Sequence, residues 1–234
     1  MTVAETGSTN ADMIALAASG AAEGLWLRAE RQTAGKGRQG REWVSPPGNL
    51  YASTLVRLRP TDPSAATLAL VAAIALEEAV RGCLPDETTS RLQIKWPNDL
   101  LINGAKLSGI LLERSGDAIV IGVGVNLADH PSGLDRAVTS LAAHGVKVEP
   151  GDFLLRLAET FDQWLARWRG EGLAPIRDQW QARAHRNGTA LTARLPDGRS
   201  VDGVFERLDT DGALILRLAD GTTRVIHAAD VFLI

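Results

Sequence analysis

The dipeptide Asn103-Gly104 restricts the possible folds of this 234-residue chain more than any other pair of residues in it. Asn-Gly is the preferred centre of a two-residue hairpin turn, because both positions need a backbone with positive φ. The runs on its two sides, 99–102 (DLLI) and 106–114 (KLSGILLER), read as strands. Ser115-Gly116-Asp117 then turns the chain into a third run, 118–127 (AIVIGVGVNL). Hairpins join antiparallel strands, whereas parallel neighbours need a crossover of a dozen or more residues. The spacing predicts a mixed or antiparallel sheet and argues against a doubly wound parallel one.

The remaining pattern supplies helices to flank that sheet. Ser8, Thr9 and Asn10 are good N-cap residues ahead of Met13, Ile14, Leu16 and Ala17, and Gly20 is a stop signal. Residues 25–30 and 49–58 read as strands, and a helix is expected from about Pro63 to Arg81, apolar nearly all round and therefore buried. Phe153, Leu154, Leu157, Phe161, Trp164, Leu165 and Trp168 form one helical stripe and are expected in the core. After Asn187-Gly188 the pattern changes to short alternating strands between Asp-Gly turns, which reads as a small five-stranded barrel. The fold class is α+β, with domains expected at 1–186 and 187–234.

Composition closes several routes. A net charge of −3 gives no global attraction to nucleic acid or an anionic membrane, so any anion site must be local. One cysteine, Cys83, cannot build a disulfide framework, and a structural thiol is expected there. The N-terminus has neither a basic nor an apolar signal region, and no window approaches a membrane span. A cytoplasmic protein is expected.

Glycines at 35, 37 and 40 have the G-x-G-x-x-G spacing of a dinucleotide turn. That turn requires a helix after the third glycine, and 41–48 (REWVSPPG) cannot continue as one. A P-loop fails because Arg41-Glu42 stand where Lys and Ser/Thr are needed. What remains is a glycine-rich loop carrying Arg31, Lys36, Arg38 and Arg41, suited to an anion with several phosphates, with a solvated mobile loop as the alternative at this point. Two alternating glycines in a strand, Gly122 and Gly124, suggest close approach of a ligand or backbone.

Six segments, in order, resemble the catalytic core of the biotin protein ligases: Glu5-Thr6-x-Ser8-Thr9-Asn10; 32–43 with Gln32, Gly35, Lys36, Gly37, Arg38, Arg41 and Trp43; Asn49-Leu50-Tyr51; Lys95-Trp96-Pro97-Asn98-Asp99; Lys106-Leu107-x-Gly109-Ile110-Leu111; and Gly122-x-Gly124-x-Asn126. The C-terminal strands resemble that family's SH3-like barrel. The resemblance implies the class II synthetase-like biotin/lipoate ligase fold and a two-step reaction. Biotin and MgATP give biotinyl-5′-AMP and pyrophosphate, and a lysine of a biotin carboxyl carrier domain then accepts the biotinyl group.

Carried over by position, the resemblance implies that Ser8, Thr9, Asn10 and Gln32 line the biotin head-group site, with Gly35, Lys36, Gly37 and Gly109 beside biotin. Arg38 and Lys106 are the expected catalytic cations, touching both the biotin carboxylate and the α-phosphate. Arg41, Trp43, Asn98, Asp99 and Asn126 complete the ATP site, with Asp99 in the Mg²⁺–phosphate region. Lys36 and Gln39 stand where the family often has arginine, which keeps one charge but loses the planar guanidinium fork. Repressor members carry an N-terminal helix-turn-helix; here the first motif begins at residue 5, so no operator binding is expected of this chain alone. Neither a nucleic-acid nor a membrane partner is expected, and the working form is a monomer or weak homodimer. A lipoate–protein ligase with the same adenylate chemistry is the neighbouring alternative, and a nucleic-acid-binding module is a more remote one.

Overall fold

The computed structural model describes residues 1–233. The elements run β1 (Thr2–Thr6), α1 (Thr9–Ala18), β2 (Trp26–Gln32), β3 (Leu50–Arg57), α2 (Leu68–Arg81), a short α3 (Asp86–Thr89), β4 (Leu92–Lys95), β5 (Asp99–Ile102), β6 (Ala105–Ser115), β7 (Ala118–Val125), α4 (Pro150–Glu171) and α5 (Leu173–Arg183). The C-terminal strands are β8 (Ala190–Arg194), β9 (Ser200–Leu208), β10 (Leu214–Arg217), β11 (Thr223–Ile226) and β12 (Asp230–Leu233).

Asn103 and Gly104 adopt φ of 52° and 78°, the positive values that a two-residue hairpin turn demands, and Ile102 pairs with Ala105 across them. The hairpins on either side build a seven-stranded sheet in the order β1-β2-β3-β7-β6-β5-β4. Only β1 and β2 run parallel, joined by α1 as their crossover, so the sheet is mixed. The sequence reading missed β1. Its three threonine and glutamate positions leave it polar and mostly exposed at the sheet edge, without the alternation that marks a half-buried strand.

One face of the sheet carries Leu50, Ala52, Val123, Val125, Ile110 and Leu100, and packs on α2, α4 and α5 in a single apolar cluster. The helix expected from Pro63 begins with a 3₁₀ turn at Ala65–Thr67 and becomes α-helical at Leu68. Thr67 is used there as an acceptor for the buried Trp168 Nε1, at 2.8 Å. Helix α5 was not foreseen. Pro175 lies in its first turn, and only Ile176 and Trp180 are buried along its length, too sparse a stripe to read from sequence.

On the opposite face, α1 covers one end through Met13 and Ala17 against Leu27, Leu55 and Val120. The rest of that face is open. The C-terminal strands pair antiparallel in the order β11-β10-β9-β8-β12. Strands β11 and β12, neighbours in the chain, stand at opposite edges with no ladder between them among the described residues. This small sheet rests on the main body through Trp96 Nε1, which donates to the Gly212 carbonyl at 3.3 Å, and through the Leu208 N–H, which donates to Gln181 Oε1 at 2.8 Å.

Candidate active site

The open face of the seven-stranded sheet is the floor of a cavity. Register places Tyr51 and Ser53 of β3, Gly122 and Gly124 of β7, Gly109 and Leu111 of β6 and Asp99 of β5 on that one face. A bulge decides one member. Leu101 pairs with Lys106 but Leu100 pairs with Ser108, so Leu107 is the extra residue. Residues three apart in a regular strand point to opposite faces; the bulge brings Lys106 and Gly109 to the same one.

The glycines of the floor make room for side chains of the protein itself. A Cβ on Gly122 would lie 2.2 Å from Asn10 Oδ1, and one on Gly124 would lie 2.5 Å from Trp43 Cε2. The expected close approach is therefore made by Asn10 and by the Trp43 indole. Gly109 receives the same indole and Lys106 within 3.2 Å of its missing Cβ.

One end of the cavity is polar and uncharged on its wall. Ser8, Thr9 and Asn10 are all buried at the start of α1, where the sequence pattern put a helix cap. Ser8 occupies the cap position without a side-chain capping bond. Gln32 does the capping instead: its Oε1 accepts from both the Thr9 N–H (2.9 Å) and the Thr9 hydroxyl (3.1 Å). Beneath them Ser53 Oγ lies 2.8 Å from Thr9 Oγ1 and 2.6 Å from Asn10 Oδ1, and Asn10 Nδ2 donates to Glu113 Oε2 at 2.7 Å. The side chains of Thr9, Asn10, Gln32 and Ser53 are each oriented by a hydrogen-bonded neighbour, which favours a rigid recognition surface, while the Ser8 hydroxyl is held by none of them.

The glycine loop is a miniature hairpin. Trp43 N–H donates to Gly35 O, Lys36 bridges Glu42, and Gly37 N–H donates to Arg41 O at 2.7 Å. Gln39 and Gly40, with φ of 58° and 71°, close its tip. Gly35 is required because a Cβ there would meet the Trp43 carbonyl at 2.6 Å; it shapes the hairpin and does not line the cavity. Arg38 reaches inward, donating to the Ala229 carbonyl at 3.1 Å and approaching Asn98 Oδ1 at 3.5 Å. Burial lowers the Arg38 guanidinium from its usual value, with Asp230 and Asp99 opposing that effect.

Lys106 Nζ meets Asp99 Oδ1 at 2.5 Å and lies 5.5 Å from the centre of the Trp43 ring. Lys95 Nζ stands 3.5 Å from Asp99 Oδ2. Burial pushes the Asp99 carboxyl up, but the ammonium groups of Lys106 and Lys95 outweigh it and hold the group below the ordinary aspartate value. Burial pulls the Lys106 ammonium down, with Asp99 as its main counterweight. Around the whole cavity stand the cations Lys36, Arg38, Arg41, Lys95, Lys106 and Arg136 and the carboxylates Glu42, Asp99 and Asp230, six positive against three negative in a chain of net charge −3. This local excess of positive charge focuses anions into the cavity despite the negative charge of the whole chain.

Two family descriptions match the chain: the biotin/lipoate A/B protein ligase family over residues 12–126, and the biotin protein ligase C-terminal domain over 190–234. A biotin--[acetyl-CoA-carboxylase] ligase of Paracoccus denitrificans is 46% identical, with the match covering 98% of each chain. The chain belongs to the biotin protein ligase family. A ligase of the same description from Mycobacterium tuberculosis is 37% identical over 98% of this chain and 86% of its own. The biotin protein ligase from Aquifex aeolicus in complex with biotin and ATP shares the fold, with a TM-score of 0.87 at 23% identity, covering all of this chain and 98% of that one.

Within this ligase-family cavity most of the foreseen residues converge, but Asn126 does not. Its Nδ2 donates to the Thr139 carbonyl at 3.0 Å, and its carbonyl accepts the Leu141 N–H, so it is buried behind the floor as a clamp on residues 139–141. Asp99 does not fit a metal site. Its two oxygens face ammonium groups, and no cluster of three potential metal ligands occurs among the described residues. Other ligase-cavity residues escaped the sequence reading. Arg136 lines the cavity from a polar loop and Asp230, Val231 and Phe232 line it from the other end of the chain, while Ser53 and Glu113, inside strand patterns that look purely structural, hydrogen-bond Asn10 without lining the cavity. Lys95, to which its motif assigns no role, lines the cavity beside Asp99. No helix is long and apolar enough to cross a membrane among the described residues.

Proposed function

We propose that this chain is an ATP-dependent biotin protein ligase, activating biotin as biotinyl-5′-AMP and passing it to a lysine of a biotin carboxyl carrier domain. The observation that carries the reading is one cavity with an uncharged polar end at Ser8, Thr9 and Gln32 and a cationic end at Arg38 and Lys106, in a member of this family. Biotin's ureido ring is neutral and suits the first; its carboxylate and the nucleotide phosphates suit the second.

The chemistry asks little proton transfer of the protein. A carboxylate is ionised at neutral pH and is itself the nucleophile for the α-phosphate. Its obstacle is repulsion from a polyanion. Arg38 and Lys106 hold the two anions together and stabilise the charge that builds on the α-phosphate oxygens during in-line displacement of pyrophosphate. Asp99 keeps Lys106 charged and pointed into the cavity. Arg41 meets the outer phosphates, and the Trp43 indole, wedged on Gly109 and Gly124, bounds the nucleotide side. Loop closure over the mixed anhydride keeps water from it until the acceptor lysine arrives.

We read residues 1–186 as the catalytic unit and 187–234 as the C-terminal one, working in the cytoplasm as a monomer or weak homodimer. Biotin-dependent exchange of labelled pyrophosphate into ATP tests the activation step, with lipoate as the control substrate. Transfer to an isolated biotin carboxyl carrier domain tests the second step. Exchange with lipoate but not biotin would replace this reading with that of a lipoate ligase, and exchange with neither would overturn it.

A further inference from the structure

The C-terminal edge strand β12 lines the cavity with its first three residues, and the first of them, Asp230, brings a carboxylate. Arg41 Nη2 donates to both carboxylate oxygens of Asp230 at 2.8 Å, and Arg38 Nη1 stands 3.7 Å from Asp230 Oδ1 while donating to the neighbouring Ala229 carbonyl at 3.1 Å. The Asp230 side chain is only 17% exposed, and its backbone is held in register by pairing with β8 at Arg194. Its position is therefore set by the small sheet and not by the loop it touches.

That matters because the glycine hairpin has few apolar anchors. Two guanidinium groups three residues apart, in a loop without a core of its own, repel each other and favour an open loop. One carboxylate between them removes that repulsion and ties both to a fixed strand. Arg41 still has donors to offer: its bonds to Asp230 and to the Arg38 carbonyl use Nη2 and Nε, leaving the Nη1 hydrogens, and its side chain is 44% exposed.

We propose that Asp230 is a positioning residue for the activation step, through which the C-terminal sheet holds Arg38 and Arg41 in place to receive the nucleotide phosphates. The small sheet is then a wall of the active site. The kinetic side of this inference rests on the ligase reading above; the hold on the loop does not.

The experiment compares the full-length wild type with Asp230→Asn and Asp230→Glu. One arm measures the rate of trypsin cleavage after Lys36, Arg38 and Arg41 without ligands; the other measures KM for ATP and kcat in biotin-dependent pyrophosphate exchange. Asp230→Asn is expected to speed cleavage severalfold and raise KM for ATP about three- to tenfold with kcat within about twofold, the size of one charge-assisted pair at a partly exposed site. Asp230→Glu is expected to restore much of both. Unchanged cleavage and unchanged KM in Asp230→Asn overturn the proposal, and so does a fall in kcat and melting temperature with KM for ATP untouched. A wild type without exchange activity would refute the ligase reading, while the cleavage arm still decides whether Asp230 holds the loop.

Discussion

The indole of Trp43 lies so close above Gly124 that a single methyl group on that glycine would come within 2.5 Å of its Cε2 atom. A loop residue and a strand residue 81 positions apart are thus fitted to each other, and the absent side chain in β7 is what lets the glycine hairpin settle on the sheet.

Gly124→Ala is expected to displace the indole at a cost of about 1–3 kcal/mol from overpacking. The cost should largely vanish in a Trp43→Ala background. Urea denaturation of the two single variants and the double variant measures the coupling, and strict additivity would show that the two residues are not in contact in solution.

Arg38 is mostly held by loop and strand-end contacts at the cavity, outside the apolar core, so Arg38→Ala should leave the melting temperature nearly unchanged. Activation should slow by about a hundredfold or more if the guanidinium stabilises charge on the reacting phosphate. Single-turnover formation of the adenylate is the measurement, and near-normal rates would remove Arg38 from that role.

The Lys106–Asp99 pair is mostly buried, and breaking it from one side leaves an uncompensated charge. Asp99→Ala is expected to cost about 3 kcal/mol of stability as well as activity. Asp99→Leu with Lys106→Met should recover most of the stability and none of the activity, as read from thermal melting alongside pyrophosphate exchange. Recovery of neither would mean the pair is held for the fold.

His185 is 5% exposed against the small sheet, its Nε2 has no hydrogen-bond partner among the described residues, and burial with the nearby Lys95 lowers it to about 4. A depressed histidine stabilises the fold fully above its unfolded value near 6.5, and that contribution is lost as pH falls from there towards 4. The loss amounts to about 3 kcal/mol at the acid end. Melting temperature should fall over this window in the wild type and fall less in His185→Met; identical profiles would assign the acid sensitivity to other groups.

Much of this protein was legible as local pattern. The Asn103-Gly104 turn, the buried character of 68–81 and the Trp164–Trp168 stripe follow from periodicities and turn chemistry that act within a few residues, and the structure places all of them as expected. The Ser8–Asn10 and Arg38–Trp43 motifs could be recognised as letters because each is contiguous. Weak or competing local signals were lost, as in the polar edge strand β1 and the proline-started α5.

Tertiary structure alone decided how those pieces face one another. Asn126 looked like a site residue by its place in a motif, but the pairing of its side chain with Thr139 turns it away from the cavity. Lys106 looks inward only because Leu107 is an extra residue in a ladder whose partner is eight or more positions removed in some rows, a register that no window of sequence displays. Asp230 reaches Arg41 across 189 residues, and nothing in ADVFLI distinguishes its carboxylate from that of any solvated strand end. Composition and spacing determine which elements form; which charges meet depends on long-range packing, where the free energy of a contact is shared between residues that carry no mark of each other.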